Sequence, residues 1–214
     1  MNIYFVRHAQ STANIDANVL KTATNMSIGL SEIGQQQAQE TGVFLSDHFS
    51  SENSIKIWNS PYNRTRQTAQ AIKDNLIKSN LKFAEEESIY VAERQFGLVD
   101  DVEDYHKNYP YEAKHWQMHK EHSHDFFARP PLGESGFDMC LRLDFFLKHV
   151  VGVEKSIENH IVVSHGAAIR GLLMMNQKWT YEKFNQPNPF NASVILVKNN
   201  NLEGCIFTPT KKTV

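Results

Sequence analysis

Two short apolar runs in this 214-residue chain end in the same way, and that recurrence limits its fold more than any other feature. Residues 3–6 read Ile-Tyr-Phe-Val and lead into Arg7, His8 and small polar residues as far as Asn14. Residues 160–163 read His-Ile-Val-Val and lead into Ser164, His165 and Gly166, where a helix opens. Apolar, largely β-branched or aromatic runs of this length suit strands covered on both faces, as in a parallel sheet. Ligands of open α/β sheets bind outside the carboxyl ends of the strands. The pattern of strand, histidine and helix start therefore predicts two imidazoles on one sheet edge, with Arg7 beside the first. Read alone, residues 3–14 serve equally well as a charged strand end facing water, so other segments must decide.

Residues 55–59 form a further strand, Ser60-Pro61 marks a turn, and a helix starts close behind with Thr65, Thr68, Ala69, Ile72 and Leu76 as its inward stripe. Arg64 falls near that helix's N-terminus, where unpaired N–H groups already favour an anion. A cation placed there is unfavourable unless an anion visits, so Arg64 reads as a phosphate ligand. Arg66 points elsewhere, as a solvated or ion-paired residue. Residues 15–29 read as a long loop over the sheet edge, and residues 30–49 as a helix capped by Ser31. Residues 88–91 predict a short strand, ending in the charged cluster Glu93-Arg94-Gln95-Phe96-Gly97. Residues 98–124 lack a clean core face and read as a partly helical insertion over the site. In it His115 and His119 lie one helical turn apart, with His122 and His124 beyond. A zinc site is disfavoured, because the glutamate of a His-Glu-x-x-His motif is lacking and no cysteine or acidic ligand has a defined spacing. Residues 129–136 form a rigid turn and residues 137–151 an apolar helix. Residues 194–197 and 205–207 predict a closing strand pair, and residues 208–214 a frayed tail.

The formal charge of −2 and pI near 6.5 argue against a dedicated nucleic-acid or membrane-surface binder. A small phosphorylated ligand needs only a local cluster of cations. Cys140 and Cys205 are expected as buried thiols, not a bridge, which suits a reducing cytoplasm. No run approaches the length of a membrane helix, and the N-terminal residues lack the basic region and apolar length of a signal peptide, so a soluble, cytoplasmic protein is expected. The pattern leaves oligomeric state open.

Taken together, several fragments resemble the histidine phosphatase superfamily, the phosphoglycerate mutase-like family, from residue 3 to about residue 197. They are Val6-Arg7-His8-Ala9-Gln10-Ser11 with Asn14, Ser60-Pro61 with Arg64 and Gln67-Thr68-Ala69, Glu93, Gly133-Glu134-Ser135, and Val163-Ser164-His165-Gly166 with Arg170. The resemblance implies a single domain over residues 1–214, an α/β protein with three α/β/α layers, a mostly parallel central sheet and a lid-like insertion at about residues 94–135. It implies chemistry through a phosphohistidine. His8 resembles the nucleophile, Arg7 and Arg64 the guanidinium clamps, His165 the second imidazole, and Glu93 the proton donor. Asn14 resembles a polar residue reaching the transferring oxygens, with Gln10, Ser11 and Gly166 as further substrate contacts. Arg94 and Arg129 become candidate selectors of an anionic substrate, unless each pairs with a neighbouring acid. The scheme calls for no metal or other cofactor, because fixed cations and donors around the phosphoryl group lower the barrier by positioning and electrostatics.

One departure concerns residue 9, where the family usually has glycine and this chain has alanine. If that backbone needed a positive φ, alanine would cost about 1 kcal/mol. Three functions compete. Arg94 directly after Glu93 resembles a 2,3-bisphosphoglycerate-dependent mutase. The insertion lacks the longer basic, proline-rich stretch of dedicated mutases, and residues 129–136 look more like the phosphatase branches. A catalytically weak member binding a phospholigand or partner is the third. The phosphatase, acting on a small phosphorylated substrate, is favoured.

Overall fold

The computed structural model describes residues 1–101, 105–176 and 180–214. Strands β1 (Asn2–Arg7), β2 (Ile55–Asn59), β3 (Ala84–Glu87), β4 (Asn159–Ser164), β5 (Val194–Lys198) and β6 (Asn201–Phe207) form one sheet in the order β3-β2-β4-β1-β5-β6. β3, β2, β4 and β1 run parallel, and β5 and β6 close the sheet antiparallel to β1 and to each other. The helices are α1 (Thr12–Ile15), α2 (Glu32–His48), α3 (Asn63–Lys78), α4 (Leu98–Asp101), α5 (Tyr105–Asn108), α6 (Pro110–Ser123), α7 (Gly136–Phe145) and α8 (Gly166–Asn176).

Period-two alternation sends the apolar residues of the central strands to both faces of the sheet. Ile3 and Phe5 join Trp58 and Val162 on one face, under Met139 and Leu143 of α7 and Ile169 and Leu172 of α8. Tyr4 and Val6 join Ile57, Ile161 and Val163 on the other, under Leu45 of α2 and Ile72 and Leu76 of α3. The result is the expected three-layer α/β/α arrangement. β1 and β4 are in register from Asn2↔Asn159 to Arg7↔Ser164, so His8 and His165 leave the sheet side by side. Ser60 leaves β2 at the same level, its amide donating to the Val163 carbonyl.

Several segments differ from the sequence expectation. The strand beside β2 is Ala84–Glu87, and Ile89–Val91 is a 3-10 turn. β3 is a sheet edge exposed at all four positions, and Lys73, Lys56 and Arg66 pair with its Glu85, Glu86 and Glu87. Its register therefore rests on ion pairs and backbone bonds, which leave no apolar signature. Within the expected loop at residues 15–29, Ala17–Lys21 is a 3-10 helix. The helix expected to reach residue 151 passes at Phe146 into one turn of π-helix. The tail is tied down instead of frayed: the Gln37 amide donates to the Lys211 carbonyl and Thr213 Oγ1, and the Asn191 amide N–H donates to the Thr213 carbonyl. Cys140 is buried as expected, but Cys205 is exposed on the edge strand β6. Asn199 and Asn200 supply the two positive φ values, 48° and 65°, of the β5–β6 hairpin turn. The insertion contains α4, α5 and α6, and its residues 102–104 lie outside the described residues.

Candidate active site

His8 and His165 are both buried, with ring centroids 5.2 Å apart in an edge-on arrangement. Their placement follows from the β1–β4 register, and the His8 amide continues that ladder by donating to the Ser164 carbonyl. Burial, followed by the charges of Arg64 and Arg7, holds His8 well below the ordinary imidazole range. The ring is therefore neutral near pH 7. Its Nδ1 lies 2.8 Å from the Ala9 carbonyl oxygen, which can only accept. The ring proton must then sit on Nδ1, leaving a lone pair on Nε2.

His165 is depressed in the same direction by burial, then Arg64. Its Nε2 lies 2.8 Å from Ser60 Oγ, while its buried Nδ1 has no partner among the described residues. The Tyr62 ring packs edge-on against it at 4.7 Å.

Arg7 and Arg64 reach the site from a strand end and a helix start. Arg7 Nη1 donates to the Pro189 carbonyl, and burial pushes the guanidinium down to about 10, against the pull of Glu93. Arg64, in the first turn of α3, donates to the backbone and side-chain oxygens of Asn25 and lies over the Tyr62 ring at 4.6 Å. Burying cations so close together is unfavourable unless an anion joins them.

Glu93 is aimed into this cluster by the start of α8. Its Oε1 accepts from the amides of Arg94 and Ala168, and its Oε2 from the amide of Ala167. The Ala167 and Ala168 amides belong to the first turn of α8, where N–H groups lack partners in their own helix. Gly166 opens that helix, and a Cβ there would lie 2.5 Å from the Asn188 side chain. Thus His8, His165, Arg7, Arg64 and Glu93 converge, with Gly166 supporting the wall.

The remaining predicted contacts are occupied elsewhere. Ser11 and Asn14 cap α1 reciprocally, and Asn14 is exposed. Gln10 accepts from the Ser31 hydroxyl and donates its amide to Gln37, so it braces the turn after His8. Arg94 is buried, donating to the carbonyls of Glu134 and Ala128 and lying over the Phe96 ring. Arg129 forks onto Asp138 at 2.6 and 2.9 Å, which is the ion-paired alternative. His115 and His119 are exposed on α6, and no group of three or more His, Cys, Asp or Glu residues able to hold a metal occurs among the described residues.

Arg170, Ser60 and Asn191 also adjoin these residues, a placement that sequence reasoning did not assign. Arg170 lies one turn along α8 from Gly166, packs over Phe184 at 5.1 Å, donates to the Gln186 carbonyl, and acts electrostatically on Glu93 and Arg7. Its spacing from Gly166 was a usable signal. Ser60 was legible as a turn residue and as part of the family-like fragment Ser60-Pro61, with no role of its own. Asn191 donates to the His8 carbonyl from 183 residues away, and nothing local marks it.

The profile of the histidine phosphatase superfamily (branch 1) matches residues 3–204. The chain is 31% identical over 207 residues to the Arabidopsis thaliana phosphoglycerate mutase-like protein AT74, covering 90% of this chain and 63% of that protein's length. It is 30% identical over 172 residues to human 6-phosphofructo-2-kinase/fructose-2,6-bisphosphatase 4, covering 80% of this chain and 32% of that protein. Among solved structures, the α-ribazole phosphatase from Shigella flexneri superposes with a TM-score of 0.72 at 17% identity, over 100% of this chain and 98% of that one. A mycobacterial glucosyl-3-phosphoglycerate phosphatase superposes at 0.68 with 17% identity, over 98% and 99% of the two chains.

Proposed function

We propose that this chain, which belongs to the histidine phosphatase superfamily, is a phosphomonoester hydrolase acting on a small phosphorylated substrate through a phosphohistidine at His8. The observation that carries the reading is the neutral, buried His8 with its proton fixed on Nδ1 beside Ala9 and its lone pair on Nε2. Nε2 attacks phosphorus, the P–N bond forms and the ester P–O bond breaks. Glu93 gives its proton to the departing oxygen. Water, relieved of a proton by the Glu93 carboxylate, then attacks phosphorus, and the P–N bond breaks to release phosphate. Arg7 and Arg64 hold the equatorial oxygens, and the unpartnered His165 Nδ1 is a further donor to them if Ser60 gives its hydroxyl proton to Nε2.

Hydrolysis is favoured over a mutase by what the lid's arginines do. A mutase must hold a bisphosphorylated species long enough to return its phosphoryl group, yet Arg129 is committed to Asp138 and Arg94 to backbone carbonyls. The human relative's name includes a sugar bisphosphatase, which accords with this choice. The proposal keeps the enzyme cytoplasmic and assigns it no nucleic-acid or membrane partner. No described helix is long and apolar enough to cross a membrane. The test is phosphate release from an aryl phosphate and a panel of phosphorylated metabolites, with and without a chelator. Metal-independent release that disappears in His8→Ala is expected. Isomerisation of 3-phosphoglycerate that requires 2,3-bisphosphoglycerate and outpaces release would select the mutase instead.

A further inference from the structure

We propose that the Glu134–Arg142 ion pair is the positioning element of the proton donor Glu93, an inference that rests on the donor role assigned above. Glu93 lies in irregular chain between the 3-10 turn Ile89–Val91 and α4, where no strand or helix ladder fixes its backbone. Arg142 of α7 donates through Nη2 to the Glu93 carbonyl at 3.0 Å and through Nη1 to the Tyr90 carbonyl at 2.6 Å. On the other side of Glu93, the Glu134 carboxylate accepts from the Gln95 amide at 3.2 Å, and the Glu134 amide donates to the Gln95 carbonyl at 2.7 Å.

Glu134 and Arg142 are joined by a two-pronged bridge, Nε to Oε1 at 2.7 Å and Nη2 to Oε2 at 2.9 Å, and both side chains are mostly buried. The pair thus grips the backbone at residues 90, 93 and 95 and anchors it to α7. That helix is itself fixed at its start by the reciprocal Ser135–Asp138 cap. Arg94 adds a bond from its Nε to the Glu134 carbonyl at 3.0 Å. A buried ion pair is a poor way to gain stability, since a well-packed apolar pair often does as well. Directional bonds to chosen backbone atoms are what this pair adds, and their common centre is the residue that must meet the leaving oxygen.

The step affected is proton delivery. An alkoxide leaving from an alkyl phosphate needs the Glu93 proton as the P–O bond breaks, whereas dinitrophenolate leaves unprotonated. Misplacing the donor should therefore penalise the first class of substrate selectively. In Glu134→Gln and Arg142→Lys, kcat/KM for glycerol 3-phosphate is expected to fall by about 10- to 100-fold. The value for 2,4-dinitrophenyl phosphate is expected to change by less than about threefold. kcat/KM reports the chemistry up to departure of the alcohol, so the later attack of water does not enter. Both substrates are run on the same sample, and their ratio is independent of how much of a variant is folded. Equal losses on the two substrates in both variants would overturn the proposal and mark the pair as merely structural. Glu93→Gln separates the two levels of the argument. If it shows the leaving-group imbalance and the pair's variants do not, positioning fails; if it shows none, the donor role itself fails.

Discussion

Ala9 illustrates how the environment of a single residue decides its tolerance. Its φ is not among the positive values in the chain, so the backbone freedom of glycine is not needed there. Its methyl group is fully buried in a small cluster with Leu30, Ala38, Ala71 and Ala192, and its amide donates to Thr68 Oγ1. Ala9→Gly is accordingly expected to destabilise the protein by about 1 kcal/mol in denaturant unfolding. It should leave kcat/KM within about threefold; a stabilised or inactive variant would contradict this placement. At this scale sequence legibility depended on position along the chain. His8, His165, Arg64 and Glu93 could be picked out because each follows an apolar run or opens a helix. Where Asn14 and Arg129 point could not be read, because a cap with Ser11 and a fork onto Asp138 are settled by nearest partners in space.

Elements were legible where burial set their pattern and illegible where polar bonds did. β1, β2 and β4 are covered on both faces and announce themselves by apolar runs, whereas β3 is an acidic edge and the tail is held by hydrogen bonds donated by the Gln37 side-chain amide and the Asn191 N–H. The approach of α2 to the segment after His8 was equally hidden. Gly34, in the first turn of that helix, lies so close to the Gln10 backbone that a Cβ would sit 1.9 Å from its carbonyl oxygen. Backbone cannot yield as a flexible side chain can, so either α2 or the segment after His8 must shift. Gly34→Ala is expected to lower stability by about 1–3 kcal/mol. It should also lower kcat/KM, because the displaced turn carries His8. A variant with unchanged melting temperature and activity would show that this approach is not tight.

For the molecule as a whole, three buried histidines couple folding to pH. His8 and His165 are held well below their ordinary range chiefly by burial, and burial pushes His160, which accepts from Trp58 Nε1 at its Nδ1, down to about 4. Below pH 6.5 the unfolded chain binds protons that the folded one refuses, so stability is complete above about 6.5 and declines as pH falls toward 4. Between about pH 6.5 and 5 ordinary carboxylates stay ionised in both states, so the slope in that window belongs to histidine. Chemical unfolding at pH 7, 6 and 5 should show progressive loss, reduced in His160→Gln; a flat profile would contradict neutral burial.

The same neutral burial underlies the proposed attack of His8 on phosphorus, and phosphoenzyme trapping tests that proposal most directly. Rapid quenching of the protein with a 32P-labelled monoester should give a labelled chain whose phosphate is acid-labile and base-stable. The label should map to His8 and be absent from His8→Ala. Turnover with no such intermediate, or with the label on another residue, would contradict the assignment of His8 as nucleophile.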